Sequence, residues 1–311
     1  MKKYYLMLIV MLVSAVGVVG LAYADSNYAE INQTGTDASN PNVAVQVQSD
    51  YYQNALINQY GAGNHAYQNQ SGTSSSQASG DSNYAQIDQT GTDNSASQTQ
   101  YQDDTWGGHD NQAYIDQTGT SDSASQNQSG EGNYAYIYQS GIGKSASQTQ
   151  TGNHNSAYIY QYSDYDTAVQ NQSGAYNYAE IVQGYDGPTS YNYAEQNQYG
   201  WYNYAYIDQE GSGGNYARQD QYGLWYNYAA IYQDGDYNGA YQYQNGYGNV
   251  AYINQTGDWN WAEQYQTGSY HYASAIQNGS YNYSHQEQWN SSNVSYVNQT
   301  GTGNYAWVVQ Y

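Results

Sequence analysis

Cysteine is absent from the 311 residues, phenylalanine is absent as well, and proline occurs only twice. Without cysteine no disulfide staples the chain, so an exported protein of this length has to draw its stability from noncovalent contacts. Cations are almost as scarce, with four lysines and arginines against 26 acidic residues and a formal net charge of −22. A surface of that sign repels phosphate backbones and excludes nucleic acid as a partner. Catalytic signatures are missing too. There is no Gly-x-Ser-x-Gly elbow, and the histidines at 65, 109, 154, 271 and 285 include no pair at zinc-ligand spacing. Neither an enzyme nor a metal or cofactor site is expected.

Long apolar runs are confined to one place. Lys2 and Lys3 precede an apolar stretch from Leu6 to Leu21, and Ala22-Tyr23-Ala24 fits the small-residue pattern of signal-peptidase cleavage. The stretch falls short of the ~20 residues that span a bilayer, and no stop-transfer charges follow it. Residues 1–24 are therefore expected to be a secretory signal peptide cleaved after Ala24, leaving residues 25–311 for export. Lys144 and Arg218 would then be the remaining lysine and arginine.

What is present is amide, glycine and tyrosine. Taken as composition, 33 glycines in an Asn/Gln/Ser-rich background suit a disordered, prion-like tract. The order of the residues argues otherwise. The pattern Asn-x-Ala-x-Ile-x-Gln-x-Gly runs from Asn27, Asn83, Asn111, Asn133, Asn203, Asn227 and Asn249, with weaker copies near Gln53, Asn155, Asn177, His271 and Asn293. A second pattern, Asn-x-Ala-x-Gln-x-Gln-x-Gly, alternates with it at Asn64, Asn192, Asn215 and Asn260, and in looser form at Asn94, Asp122 and Lys144. Twelve pairs result, and the spacing of 22 residues recurs through Asn111, Asn133, Asn155 and Asn177. A fixed period of this size marks a stacked-repeat architecture.

Within each half the alternation has period two, with no competing helical spacing, so each half is expected to be a strand of about seven residues. Glycine-bearing segments such as "QTGTDN" and "QSGIGK" are expected to be the turns. Asn, Ala, Ile and Gln vary little at one set of alternate positions and are assigned inward; Tyr, Glu, Asp, Ser, Arg and Trp occupy the other set. Ala85 with Ala96, and Ala135 with Ala146, would allow close approach of two strands around Ile87 and Ile137. One isoleucine contributes only ~1.5–3 kcal/mol by burial, and an unpaired buried amide costs ~1–3 kcal/mol. Single turns should not stand alone. Stacked in register, their amides form ladders of the kind that stabilise cross-β structures.

The expected fold is accordingly an all-β, cross-β β-solenoid of about twelve strand-turn-strand repeats with uncapped ends, on the order of 58 Å long at the usual strand spacing. Its ladder residues are expected to be Asn27, Gln33, Asn83, Gln89, Asn111, Gln117, Asn133, Gln139, Asn203, Gln209, Asn227, Gln233, Asn249, Gln255, Asn304 and Gln310. Longer turns are expected near 71–82, 101–110 and 184–191, where the rhythm breaks. Asn304 to Tyr311 reads as a further strand rather than a cap, so each end is expected to template another molecule, and contacts that do not close generate filaments.

The spacing Asn-x-Ala-x-Ile-x-Gln-x-Gly-x-x-Asn-x-Ala-x-x-x-Gln resembles the curlin repeat of curli, the amyloid fibres of bacterial biofilms, over nearly all of residues 26–311. The resemblance implies an extracellular, fibre-forming subunit of the major type, with itself as chief partner. It also implies a nucleator subunit, an outer-membrane secretion pore, and a role in biofilm matrix and adhesion to cell or abiotic surfaces. A monomeric solenoid that binds ice or carbohydrate is the alternative, suggested by Thr-Gly-Thr segments at 34, 90, 118 and 300. Outward tyrosines at 28, 84, 134, 178, 204 and 228 share one position and would stack into stripes able to bundle filaments or bind sugars and dyes. The carboxylates Glu30, Asp88, Asp116, Glu180, Asp208, Glu263 and Glu287 are expected outward, where charge opposes premature pairing.

Overall fold

A computed structural model describes residues 17–23, 27–35, 37–49, 53–72, 83–102, 111–184 and 191–311. Most of each expected long turn (residues 73–82, 103–110 and 185–190) lies outside the described residues, as do residues 1–16 and 24–26 of the expected signal peptide and its cleavage junction.

The chain divides into two compact units, residues 1–155 and 156–311. In the first, the strands are β1 (Gly17–Tyr23), β2 (Tyr28–Gly35), β3 (Val43–Ser49), β4 (Asn54–Ala62), β5 (His65–Gly72), β6 (Tyr84–Thr92), β7 (Ser95–Gln102), β8 (Gln112–Thr120), β9 (Ser123–Glu131), β10 (Tyr134–Ile142) and β11 (Ser145–Asn153). The second holds β12 (Ser156–Gln161), β13 (Thr167–Ala175), β14 (Tyr178–Gln183), β15 (Tyr193–Trp201), β16 (Tyr204–Glu210), β17 (Tyr216–Trp225), β18 (Tyr228–Asp234), β19 (Gly239–Tyr247), β20 (Val250–Thr256), β21 (Trp261–Ser269), β22 (Tyr272–Ser280), β23 (Tyr283–Ser291), β24 (Val294–Thr302) and β25 (Tyr305–Gln310). No helix occurs among the described residues.

Successive strands alternate between two sheets, and each pairs in parallel with the strand two further along. The result is an all-β β-solenoid of about twelve turns. Register follows the repeat: Ala85, Ile87 and Gln89 of β6 meet Ala113, Ile115 and Gln117 of β8. In the second unit Ala205, Ile207 and Gln209 of β16 meet Ala229, Ile231 and Gln233 of β18. Shifting a strand by one residue would bring Tyr84 and Gln86 into the alanine layer, which is why period-two sequence specifies register.

The interior is thin and apolar only at its centre. Ile87, Ile115, Ile137, Ile207, Ile231 and Ile253 are buried, and so are the alanines that precede them by two. Amides fill the space around this Ala/Ile stripe.

The turns differ from the sequence expectation. In many rungs the strand continues past the glycine, so Thr90-Gly91-Thr92, Thr118-Gly119-Thr120 and Thr300-Gly301-Thr302 are strand ends rather than turns, while β16, β18 and β20 stop before Gly211, Gly235 and Gly257. The bend itself is taken at the next residue, as at Asp93 with φ of 57°. Glycine is needed for a different reason: Gly91 has φ of 121°, and a Cβ there would stand 1.9 Å from the carbonyl oxygen of Gly119 in the next rung. Gly17–Tyr23, within the expected signal peptide, forms β1, paired in parallel with β3.

Candidate functional site

The sites of interest are rows of identical side chains and the edges where those rows stop. In the first unit Gln59 Nε2 donates to Gln89 Oε1 at 2.7 Å, Gln89 to Gln117 at 2.8 Å, and Gln117 to Gln139 at 2.8 Å. The second unit repeats this from Gln209 to Gln233 and Gln233 to Gln255, each at 2.9 Å. The other amide hydrogen is used as well. Gln89 Nε2 reaches the His65 carbonyl of the facing sheet at 3.1 Å, and Gln233 Nε2 reaches that of Tyr216 at 3.0 Å. Each side chain therefore ties its rung to the next rung and to the opposite strand, leaving no buried N–H unpaid at these positions.

The asparagines bond chiefly to the backbone of the next rung and in part also form a side-chain row, as where Asn133 Nδ2 donates to Asn111 Oδ1 at 3.1 Å. Asn83 Oδ1 accepts the backbone N–H of Asn111 at 3.1 Å, Asn111 Oδ1 accepts that of Asn133 at 3.0 Å, and Asn227 Oδ1 accepts that of Asn249 at 3.1 Å. Asn203 receives Asn227 in the same way, and Asn27 receives the backbone N–H of Gln53. Their Nδ2 atoms turn to the bends, as where Asn111 donates to the Gly130 carbonyl at 2.6 Å. These asparagines tether rungs at the corners. Asn304 and Gln310 belong to the second pattern's rows, where Asn304 N–H meets Asn282 Oδ1 and Gln310 Oε1 accepts from Gln288 at 2.9 Å.

Sequence reasoning left out a second set of ladders. Every Gln-x-Gln of the second pattern points both glutamines inward, so Gln68 bonds Gln98 and Gln70 bonds Gln100, at 2.9 and 2.8 Å, with Gln219 to Gln242 and Gln221 to Gln244 equivalent in the second unit. Their period-two spacing was the available signal. Other residues also enter the corner rows. His271 replaces asparagine, with its N–H bonded to Asn249 Oδ1 and its Nδ1 accepting from Asn293 N–H. Lys144 and Asp122 stand in the row otherwise held by Asn64 and Asn94, both buried, with Nζ 4.0 Å from Oδ1.

All the glutamine ladders share one polarity, with the amide nitrogen pointing toward the later rung. The edges therefore differ. At β2, Gln33 Oε1 is buried without a partner, and at β3 the same holds for Gln46 and Gln48 Oε1. At β24 and β25, Gln299 and Gln310 Nε2 donate to the carbonyls of Tyr283 and Val294, both at 2.9 Å, and the hydrogen that elsewhere continues the ladder has no further rung. One edge offers acceptors and the other donors.

On the outer face, tyrosines stack as expected from their shared position. Tyr204 lies between Tyr178 and Tyr228 at centroid distances of 5.0 and 4.9 Å, its ring nearly parallel to each. In the first unit Tyr84 and Tyr134 are bridged through Tyr114 instead. Burial first, then the hydrogen bond to Glu195, pushes the Tyr193 phenol up to about 12. The seven carboxylates named above are half-buried, with Glu30, Asp88, Asp116, Glu180 and Asp208 on this face and Glu263 and Glu287 on strands of the other sheet. Burial raises the Asp116 carboxyl, helped by Asp88 beside it in register. His65 is exposed and His154 sits at a bend, whereas His285 is covered: its Nδ1 is 3.0 Å from Glu263 and its ring stacks 4.0 Å from Trp307. His109 lies outside the described residues. Among the described residues no cluster of three metal-binding side chains occurs.

Neither known protein families nor curated proteins yield a match to this chain.

Proposed function

We propose that this chain is a secreted structural subunit that polymerises head to tail into extracellular, curli-like fibres. The observation that carries the reading is the opposed character of the two edges. Laying β24 of one copy against β2 of another places Val297 on Ile31, Asn298 on Asn32, Gln299 on Gln33 and Gly301 on Gly35, continuing the register that the repeats keep within the chain. Gln299 Nε2 then supplies the donor that Gln33 Oε1 lacks. Edge strands in soluble proteins are ordinarily blunted by charge, proline or a covering element, and the sequence of β24, VSYVNQTGT, contains none of the first two.

The resemblance of the repeat to curlin supplies the rest: export after cleavage at Ala24, passage through an outer-membrane pore, help from a nucleator subunit, and service in biofilm matrix and adhesion. Half-buried carboxylates on the outer face would slow pairing before export. To test the reading, the processed chain is concentrated and examined by electron microscopy and fibre diffraction. Unbranched filaments with a ~4.7–4.8 Å reflection along the axis are expected. A chain that stays monomeric at high concentration contradicts it.

A second reading, a monomeric glycan binder, draws on an apolar cleft lined by Ala175, Tyr176, Trp201, Tyr202, Trp225 and Tyr226, where the tryptophan row ends on an alanine. Glycan binding by monomer, without assembly, would favour it.

A further inference from the structure

Among the described strands β1 is alone in carrying no amide side chain, its sequence being GVVGLAY. It nevertheless occupies the edge of β3, in the register Gly20 to Gln46 and Ala22 to Gln48. Partners in register share a face of the sheet, so a ladder reaching Gln46 and Gln48 from this side needs donors at positions 20 and 22, and glycine and alanine have none. The consequence is visible in the two glutamines. Gln46 Nε2 donates to the Glu30 carbonyl and to Gln68 Oε1 at 3.0 and 2.9 Å, and Gln48 Nε2 donates to the Tyr28 carbonyl and to Gln70 Oε1 at 2.9 and 3.0 Å. Their own Oε1 atoms are buried and unpartnered, although one rung later Gln68 and Gln70 receive a donor each.

We propose that β1 is a removable cover over half of the docking edge for a second copy of this chain. This rests on the head-to-tail reading above and adds its control. While β1 is in place, an arriving copy finds the β2 edge open and the β3 edge taken. Once it leaves, β25 of that copy pairs with β3, setting Ala306 on Ala44 and Gln310 on Gln48, and Gln310 Nε2 provides a donor that β1 lacks. Val308 falls opposite Gln46, so the exchange satisfies one of the two acceptors. Cleavage after Ala24 would remove the cover outright and couple processing to assembly competence.

The experiment compares assembly of three full-length chains by light scattering and electron microscopy, with circular dichroism confirming β structure: the unaltered protein, Val19→Pro, and Gly20→Gln with Ala22→Gln. Proline removes a backbone donor and loosens β1, whereas the two glutamines supply donors to Gln46 and Gln48 and fasten it. A severalfold shorter lag for Val19→Pro and a severalfold longer one for the double variant are expected. Equal lags in all three overturn the cover and leave the fibre reading standing. No assembly in any, with the processed chain also monomeric, overturns the fibre reading itself.

Discussion

Gln89 Nε2 donates simultaneously to Gln117 Oε1, 2.8 Å away in the next rung, and to the His65 carbonyl, 3.1 Å away across the interior. The same nitrogen thus sets both the vertical stacking and the sheet separation, which is how a core with so little apolar volume stays ordered.

Gln117→Leu keeps the volume and deletes these roles at one rung. Gln89 loses an acceptor and Gln139 loses a donor. With an unmade buried bond costing ~1–3 kcal/mol on each side, destabilisation of roughly 2–6 kcal/mol is expected. Urea unfolding of the soluble chain measures it, and hydrogen exchange should show the opening centred on β6, β8 and β10. A loss below about 0.5 kcal/mol, the scale of neutral surface changes, would contradict the ladder's role.

Gly91→Ala forces a side chain into a left-handed backbone position and against the Gly119 carbonyl. A loss of more than about 1 kcal/mol is expected in the same unfolding measurement. Tolerance of alanine would mean that the rungs are spaced more widely than described.

The buried imidazole of His271 has its pKa lowered from 6.5, chiefly by desolvation. The unfolded chain then binds the proton more readily than the folded one, so stability is full above pH 6.5 and falls as the pH drops toward the lowered value. His271→Asn, which restores the residue of the neighbouring rungs, should flatten the stability profile in that window.

Asp116 behaves oppositely. Its pKa is raised from 3.8 by burial and by Asp88, so protonation favours the folded state. The stabilisation is complete below 3.8 and lost as the pH rises through the raised value, giving a chain that gains stability in mild acid. Asp116→Asn should be more stable than the parent at neutral pH and lack this acid gain. Urea midpoints at about pH 3.5 and about pH 6 decide it.

Much of the architecture was legible because period-two alternation around Ala85, Ile87 and Gln89 leaves one face that can be interior, and the 22-residue spacing fixes what lies above it. The corner chemistry was not. That Asn83 Oδ1 holds the backbone of Asn111, rather than its side chain, depends on how far the bend turns, and sequence spacing carries no such angle. For Gln68 and Gln70 the period-two spacing shows an inward position, but their second partners, the carbonyls of Leu56 and Asn54, belong to the facing sheet and are not legible in it. His271 could be placed at an asparagine position from alignment of the repeats, yet its use of a ring nitrogen as acceptor needed the geometry. For Gly17–Tyr23, apolar composition suits a signal peptide and a strand alike.

The junction between copies is the most direct test. Cryo-electron microscopy of fibres grown from the processed chain should show β24 of one copy parallel to β2 of the next, with Gln299 beside Gln33 and the amide rows unbroken across the boundary. Fibres joined laterally through the tyrosine face, or by any register that leaves Gln33 Oε1 without a donor, would contradict the account.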